Sequence, residues 1–189
     1  MVSHLSRETQ LHHASADADR LTILERPTPD RYGRYLAQIY GFEAPVEAAC
    51  AATISRDLVR SHFKAHRLAA DLEALGLTPQ AAAAIPAFDG PEQALGWLWV
   101  VHRNALLHGL VHRHVATVLP ETARSAGSYL STFDSRGGAL PSRLAHAMEA
   151  AARRVASCER MIAAAKQAFE LQHEWYSCSL MLPRRRRAA

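Results

Sequence analysis

A chain of 189 residues is long enough for one domain with a substantial core, about 150 residues being usual per domain, so a single domain is expected. Its 49% hydrophobic content is ordinary for a globular protein, strand-favouring residues are few, and recurring Ala, Leu, Arg and Glu favour helix. The net charge of +4 and the pI near 9.2 raise a nucleic-acid partner, but Arg184 to Arg187 supply four of the positive charges, and without them the body is near neutral. The remaining basic residues are spread and no recognition helix stands out, so no nucleic-acid partner is expected.

Cys50, Cys158 and Cys178 are an odd number without close-spaced pairs, which argues against a disulfide framework or a zinc cluster and fits a reducing cytoplasm. The segment from Ser3 to Arg20 is polar, and no apolar run approaches the roughly 20 residues that cross a bilayer. Neither export nor membrane insertion is therefore expected. The domain is expected over residues 1–182, with 183–189 a basic, disordered tail.

In chain order, Leu5, Thr9, His12 or His13 and Ala16 recur at helical spacing over about Ser3 to Leu24, ending before Arg26-Pro27-Thr28-Pro29. Thr28 reads as an N-cap with Pro29 at the first helical position. Tyr32, Tyr35, Leu36, Ile39 and Tyr40 form the apolar stripe of this second helix. Pro45 is expected to interrupt the backbone, leaving a short helix before Ser55. A longer helix is expected from Asp57 to Leu75 with Gly76 as its stop, then a short helix from Thr78 to Ile85.

Asp89-Gly90-Pro91-Glu92 combines a capping carboxylate, a first-turn proline and an acidic residue, and opens a helix expected to reach Val118, before Pro120. Ser135-Arg136-Gly137-Gly138 signals a loop. Ala-rich amphipathic helices are expected from Pro141 to Ala156 and from Ser157 to Trp175. No internal repeat or second-domain boundary is visible.

Several segments resemble the haem oxygenase family in order. Leu5-Ser6-Arg7-Glu8-Thr9-Gln10-Leu11-His12-His13 is similar to its first helix, where a Thr precedes the proximal histidine by four positions, which selects His13. Tyr32, Leu36, Tyr40 and Glu47 match its second helix. Leu68-Ala69-Ala70-Asp71-Leu72-Glu73-Ala74-Leu75-Gly76 and Ala94-Leu95-Gly96-Trp97-Leu98-Trp99-Val100-Val101 resemble later stretches. Gly127-Ser128-Tyr129 and Ala165-Lys166-Gln167-Ala168-Phe169, with Trp175, resemble its last third, so the likeness spans roughly residues 5 to 176. The fold it implies is an all-α, single-domain, haem oxygenase-like helical bundle.

The resemblance implies oxidative cleavage of haem, at once cofactor and substrate, to biliverdin, iron and carbon monoxide. An external electron donor, a reductase or ferredoxin, would serve it, since no flavin or nicotinamide motif is present. His13 would be the iron ligand, with His12 as the one-residue alternative. Tyr40 and Asn104 would hold distal water, although a tyrosine on an amphipathic helix is also an ordinary core residue. Arg7, Arg103, His108 and Tyr129 would line the haem, and His108 facing His13 would oppose oxygen binding.

Two departures matter. After Val101, bacterial members read Glu-Gly-Ser-Thr-Leu-Gly-Gly, glycines that let the backbone approach the haem face. Here His102-Arg103-Asn104-Ala105-Leu106-Leu107-His108 stands instead. Seven positions before His13 the family carries a propionate-binding base; this chain has Ser6, and the neighbouring Arg7 points about 100 degrees away on an ideal helix. A second expectation follows: a non-catalytic member of the fold that binds haem, another tetrapyrrole, a small ligand or a partner protein. The pairs His62 with His66 and His108 with His112 share helix faces but lack a third ligand and read as solvated faces, as do Arg153 and Arg154.

Overall fold

The computed structural model describes residues 1–60, 62–79, 81–134 and 140–177 and the backbone of 184–185. The described residues form an all-α fold with one pair of two-residue strands. The chain runs through α1 (Val2–Glu8), α2 (Gln10–Leu21), α3 (Pro29–Thr53), α4 (Arg56–Val59) and α5 (Ala65–Ala74), then α6 (Pro91–Arg103), α7 (Ala105–Val118), α8 (Pro120–Ala126), α9 (Ser142–Ala151) and α10 (Val155–Ser177). Single 3₁₀ turns occur at Thr22–Leu24 and Leu130–Phe133. Among the described residues no helix is long and apolar enough to cross a membrane.

The expected first helix is split at Thr9. Its backbone leaves helical geometry (φ −108°, ψ 6°), and its hydroxyl donates to the Leu5 carbonyl at 2.7 Å, a local bond that competes with the helical ladder and bends the chain. Thr28 caps α3 as expected, its hydroxyl accepting the Arg31 N–H at 3.2 Å. Pro45, by contrast, does not interrupt α3. A proline lacks the N–H that would bond to the carbonyl four residues back, here Gly41. The Ala83 N–H takes that carbonyl at 2.8 Å, so no group is left unpaired and the helix continues to Thr53.

Where one helix was expected from Asp57 to Leu75, the short α4 and α5 stand apart. Gly76 ends α5 with φ +67°, a conformation that favours glycine. Where a helix is expected from Thr78 to Ile85, Leu77–Thr78 forms a two-residue strand, β1, and residues 81–85 have no regular structure, with the Ala83 N–H reaching the Gly41 carbonyl. The strand's antiparallel partner, β2, is Arg184–Arg185, so two residues of the expected disordered tail pair through main-chain groups, which require no particular side chain. The loop expected at Ser135 to Gly138 lies outside the described residues. The helix from Pro91 breaks at Asn104 into α6 and α7, and α8 follows unanticipated after Pro120.

The centre of the bundle is the crossing of α6 on α10. Trp97 is fully buried between Phe42 and Phe88, with ring centroids 6.3 and 5.5 Å away. The crossing is close because Gly96 has no side chain; a Cβ there would meet the Met161 carbonyl oxygen at 2.5 Å and the Ala164 Cβ at 2.9 Å. Leu36, Ile39, Leu68, Leu72 and Leu130 complete the core at 0 to 1% exposure, each such burial contributing about 1.5–3 kcal/mol.

Candidate functional site

Polar residues rarely enter a helical core, yet several are buried in this one. Glu43 of α3 is 2% exposed, Asn104 1%, His108 0% and Gln172 of α10 0%. Tyr129 links Glu43 to His108, its hydroxyl lying 2.5 Å from Glu43 Oε2 and 3.2 Å from His108 Nδ1. Tyr129 is itself held by α5: the buried Asp71 carboxylate accepts the N–H groups of Ser128 at 3.0 Å and Tyr129 at 2.8 Å. The Tyr32 hydroxyl fixes the end of α8, just before them, by donating to the Ala126 carbonyl at 2.8 Å.

Electrostatics follow from this burial. Desolvation pushes Glu43 up to about 8, against the hydrogen bond from Tyr129, so at neutral pH it is mainly the neutral acid. Burial, reinforced by the positive charges of Arg20 and Lys64, holds His108 well below its ordinary range as a neutral imidazole. The two protonation patterns are linked through one hydroxyl. With Glu43 ionised, Tyr129 donates to it and accepts from His108 Nδ1–H; with Glu43 protonated, the chain reverses and Tyr129 donates to the imidazole.

Among the described residues, Glu43 Oε1, His108 Nε2, Asn104 Nδ2, the Gln172 amide and the hydroxyls of Tyr35 and Tyr176 are buried without a hydrogen-bond partner. Such groups cost about 1–3 kcal/mol each unless water or a ligand satisfies them. Arg20, 2% exposed, sits beside them, paired with Asp17 at 2.6 Å and stacked 5.3 Å from the Tyr176 ring.

A cavity reaches this set from the surface. It measures about 30 Å³ and is lined by Glu43, His62, Lys64, Leu98, Val101, His102, Tyr129 and Phe133. The His62 and His102 rings stand edge to face at 6.1 Å, and the Lys64 ammonium lies 4.0 Å from the centre of the Phe133 ring. Glu47 shapes this mouth from α3, its Oε1 accepting the N–H groups of Lys64 at 2.6 Å and Ala65 at 3.0 Å, thereby capping α5. Burial nevertheless pushes Glu47 up to about 7. Larger depressions of about 430 Å³ between the start of α6 and α10, and of about 600 Å³ beside Phe63, are open to solvent and contain none of the expected site residues.

Of those residues, the structure brings together His108, Tyr129 and, one turn before His108, Asn104. Arg103 is half-buried at the end of α6. Tyr40 is half-buried against the core, outside the Glu43–Tyr129–His108 chain. Arg7 lies in the last turn of α1, its side chain 71% exposed and 3.4 Å from Glu8. The backbone of His13 lies in α2, while its side chain is outside the described residues; His12 stacks on Phe169 at 6.4 Å. His112 pairs with Asp134 at 2.7 Å, on a different partner from His108. Glu43, Arg20, Tyr35, Gln172 and Tyr176 were not anticipated.

The stretch that resembles the haem-covering helix turns side chains inward where the family has glycines: Leu107 is 8% exposed and His108 0%. A macrocycle needs a slot of roughly 300 Å³ or more, and the cavity at His108's partner Tyr129 measures about 30 Å³. The described cavity at Tyr129 is by itself too small for a macrocycle. Comparison of the chain with family models, with curated proteins and with solved structures returned no match.

Proposed function

We propose that this chain is a non-catalytic binding protein on a haem oxygenase-like helical scaffold, and that it takes a small acid, a carboxylate or an inorganic oxyanion, where the family would take a haem. The observation that carries this reading is the cavity over Glu43 and Tyr129, about 30 Å³ and ringed by Lys64, His62 and His102. That is room for a group a little larger than one water molecule, and its rim is cationic or hydrogen-bonding. A neutral Glu43 beneath does not repel an anion. Leu107 and His108 occupy the face that haem chemistry requires to be open, so oxygen activation is not assigned.

An anaerobic haem titration followed by oxygen and reductant, read by absorption and product analysis, tests the exclusion; the expected result is no biliverdin. Amide NMR titration with acetate and with inorganic phosphate tests the binding. Saturable shifts at Lys64, His102 and Tyr129 are expected from at least one of them, weakened about tenfold or more by Lys64→Met, the size of a lost charge-assisted contact. Stoichiometric haem uptake with ring opening overturns the proposal, as does the absence of any saturable shift.

A further inference from the structure

At the far side of the bundle α1 lies beside the start of α10, and three side chains with soft or borderline donor atoms meet there. The Cys158 thiol is free and half-buried. Its Sγ is 3.6 Å from Met1 Sδ and 3.7 Å from His4 Nδ1. Met1 packs against the core, and its carbonyl accepts the Leu5 N–H at 2.9 Å, so the thioether is presented from an ordered first turn.

We propose that Met1, His4 and Cys158 form a binding site for a soft monovalent metal ion, Cu(I) being the cation that fits. Metal–sulfur bonds of about 2.3 Å and metal–nitrogen bonds of about 2.0 Å place donors in trigonal to tetrahedral arrangements about 3.5–4.0 Å apart. Both sulfur-centred separations fall in that window, so an ion can enter with little movement of the donors. The donor set selects the ion: thiolate and thioether favour Cu(I), while a neutral thioether offers little to a hard cation. One thiolate also balances one unit of positive charge, which keeps the half-buried site neutral when filled.

The second nitrogen of His4 strengthens the assignment. His4 Nε2 faces Glu8 Oε1 at 3.6 Å, so a small approach would form the carboxylate–histidine pair that orients a metal-ligating ring. Glu8 also lies 3.4 Å from Arg7 and 4.0 Å from Lys166, which hold it on this face.

The test is an anaerobic titration of the protein with Cu(I) against a chromophoric Cu(I) chelator, with helicity followed by circular dichroism. One equivalent should be withdrawn from the chelator. Cys158→Ser should abolish that uptake, Cys50→Ala should leave it unchanged, and Glu8→Gln should weaken it about tenfold. Copper-edge absorption of selenomethionine-labelled protein reads the thioether without altering residue 1, and a copper–selenium distance is expected. Uptake that survives Cys158→Ser, displacement of Cu(I) by equimolar Zn(II), or the lack of a copper–selenium vector overturns the site.

Discussion

Glu43 occupies a stripe of α3 that is otherwise apolar, with Leu36, Ile39, Val46 and Cys50 before and after it at helical spacing and all at 0% exposure. Its burial has a consequence for stability. The unfolded chain releases this proton near the ordinary value of 4.5, and the folded chain holds it to about 8. Folded protein thus binds more protons across that window, and stability falls as pH rises through it, by about 1.4 kcal/mol per unit at full slope. Glu47, raised to about 7, adds in the same direction, while His108, depressed by burial, opposes it below 6.5 and ceases to do so above. The steepest loss is therefore expected between pH 6.5 and 8. Urea denaturation at pH 5, 6.5, 8 and 9 should show that slope and show it reduced in Glu43→Gln; curves that run parallel for the two proteins would exclude Glu43 as the source. The residue is legible in the sequence as a charge on an apolar stripe that continues past Gly41. Tyr129 and His108 were found through resemblance, which put them beside a haem rather than beside a carboxylate.

At the scale of elements, sequence patterning located helices well and their interruptions poorly. Caps and stops are local, so Thr28 and Gly76 were readable from their neighbours alone. The break at Thr9 comes from its own hydroxyl's bond to Leu5, whereas the effect of Pro45 depends on what surrounds the helix. That effect is decided by the Ala83 N–H, which stands 38 positions later and bonds to the freed Gly41 carbonyl. Pro45→Ala should therefore restore an internal N–H donor to Gly41 without a large gain. A carbonyl oxygen can accept twice, and a net hydrogen bond contributes about 0.5–1.5 kcal/mol, so the expected change is within about 1 kcal/mol. The more telling readout is amide hydrogen exchange. The Ala83 amide should exchange faster once it shares its acceptor, while the amides of α3 before Gly41 keep their protection. Unchanged Ala83 exchange together with a gain of about 3 kcal/mol, the usual cost of an interior proline, would mean that the cross-chain bond does not compensate for the proline.

The whole molecule is organised by the approach of α6 to α10, since these helices carry Trp97 and Leu98 on one side and Phe169, Gln172 and Tyr176 on the other. A glycine inside a helix is ordinarily a weak point. In an isolated helix, replacing such a glycine by alanine would stabilise by about 1 kcal/mol. The structure reverses that sign. The new Cβ would lie 2.5 Å from the Met161 carbonyl oxygen and 3.1 Å from the Ala165 nitrogen, and both are backbone atoms that cannot rotate away. Relief requires the two helices to separate, which loosens the packing around Trp97 and disturbs the inward placement of Gln172 and Tyr176. Gly96→Ala is therefore expected to destabilise by about 1–3 kcal/mol, the range for overpacking a close-packed interior. Gly96→Val, with two further methyl groups in the same space, should cost more. Urea denaturation of the three proteins measures this directly: a graded loss supports a crossing set by backbone contact, and a gain for the alanine variant would mean that the helices meet more loosely than these distances require.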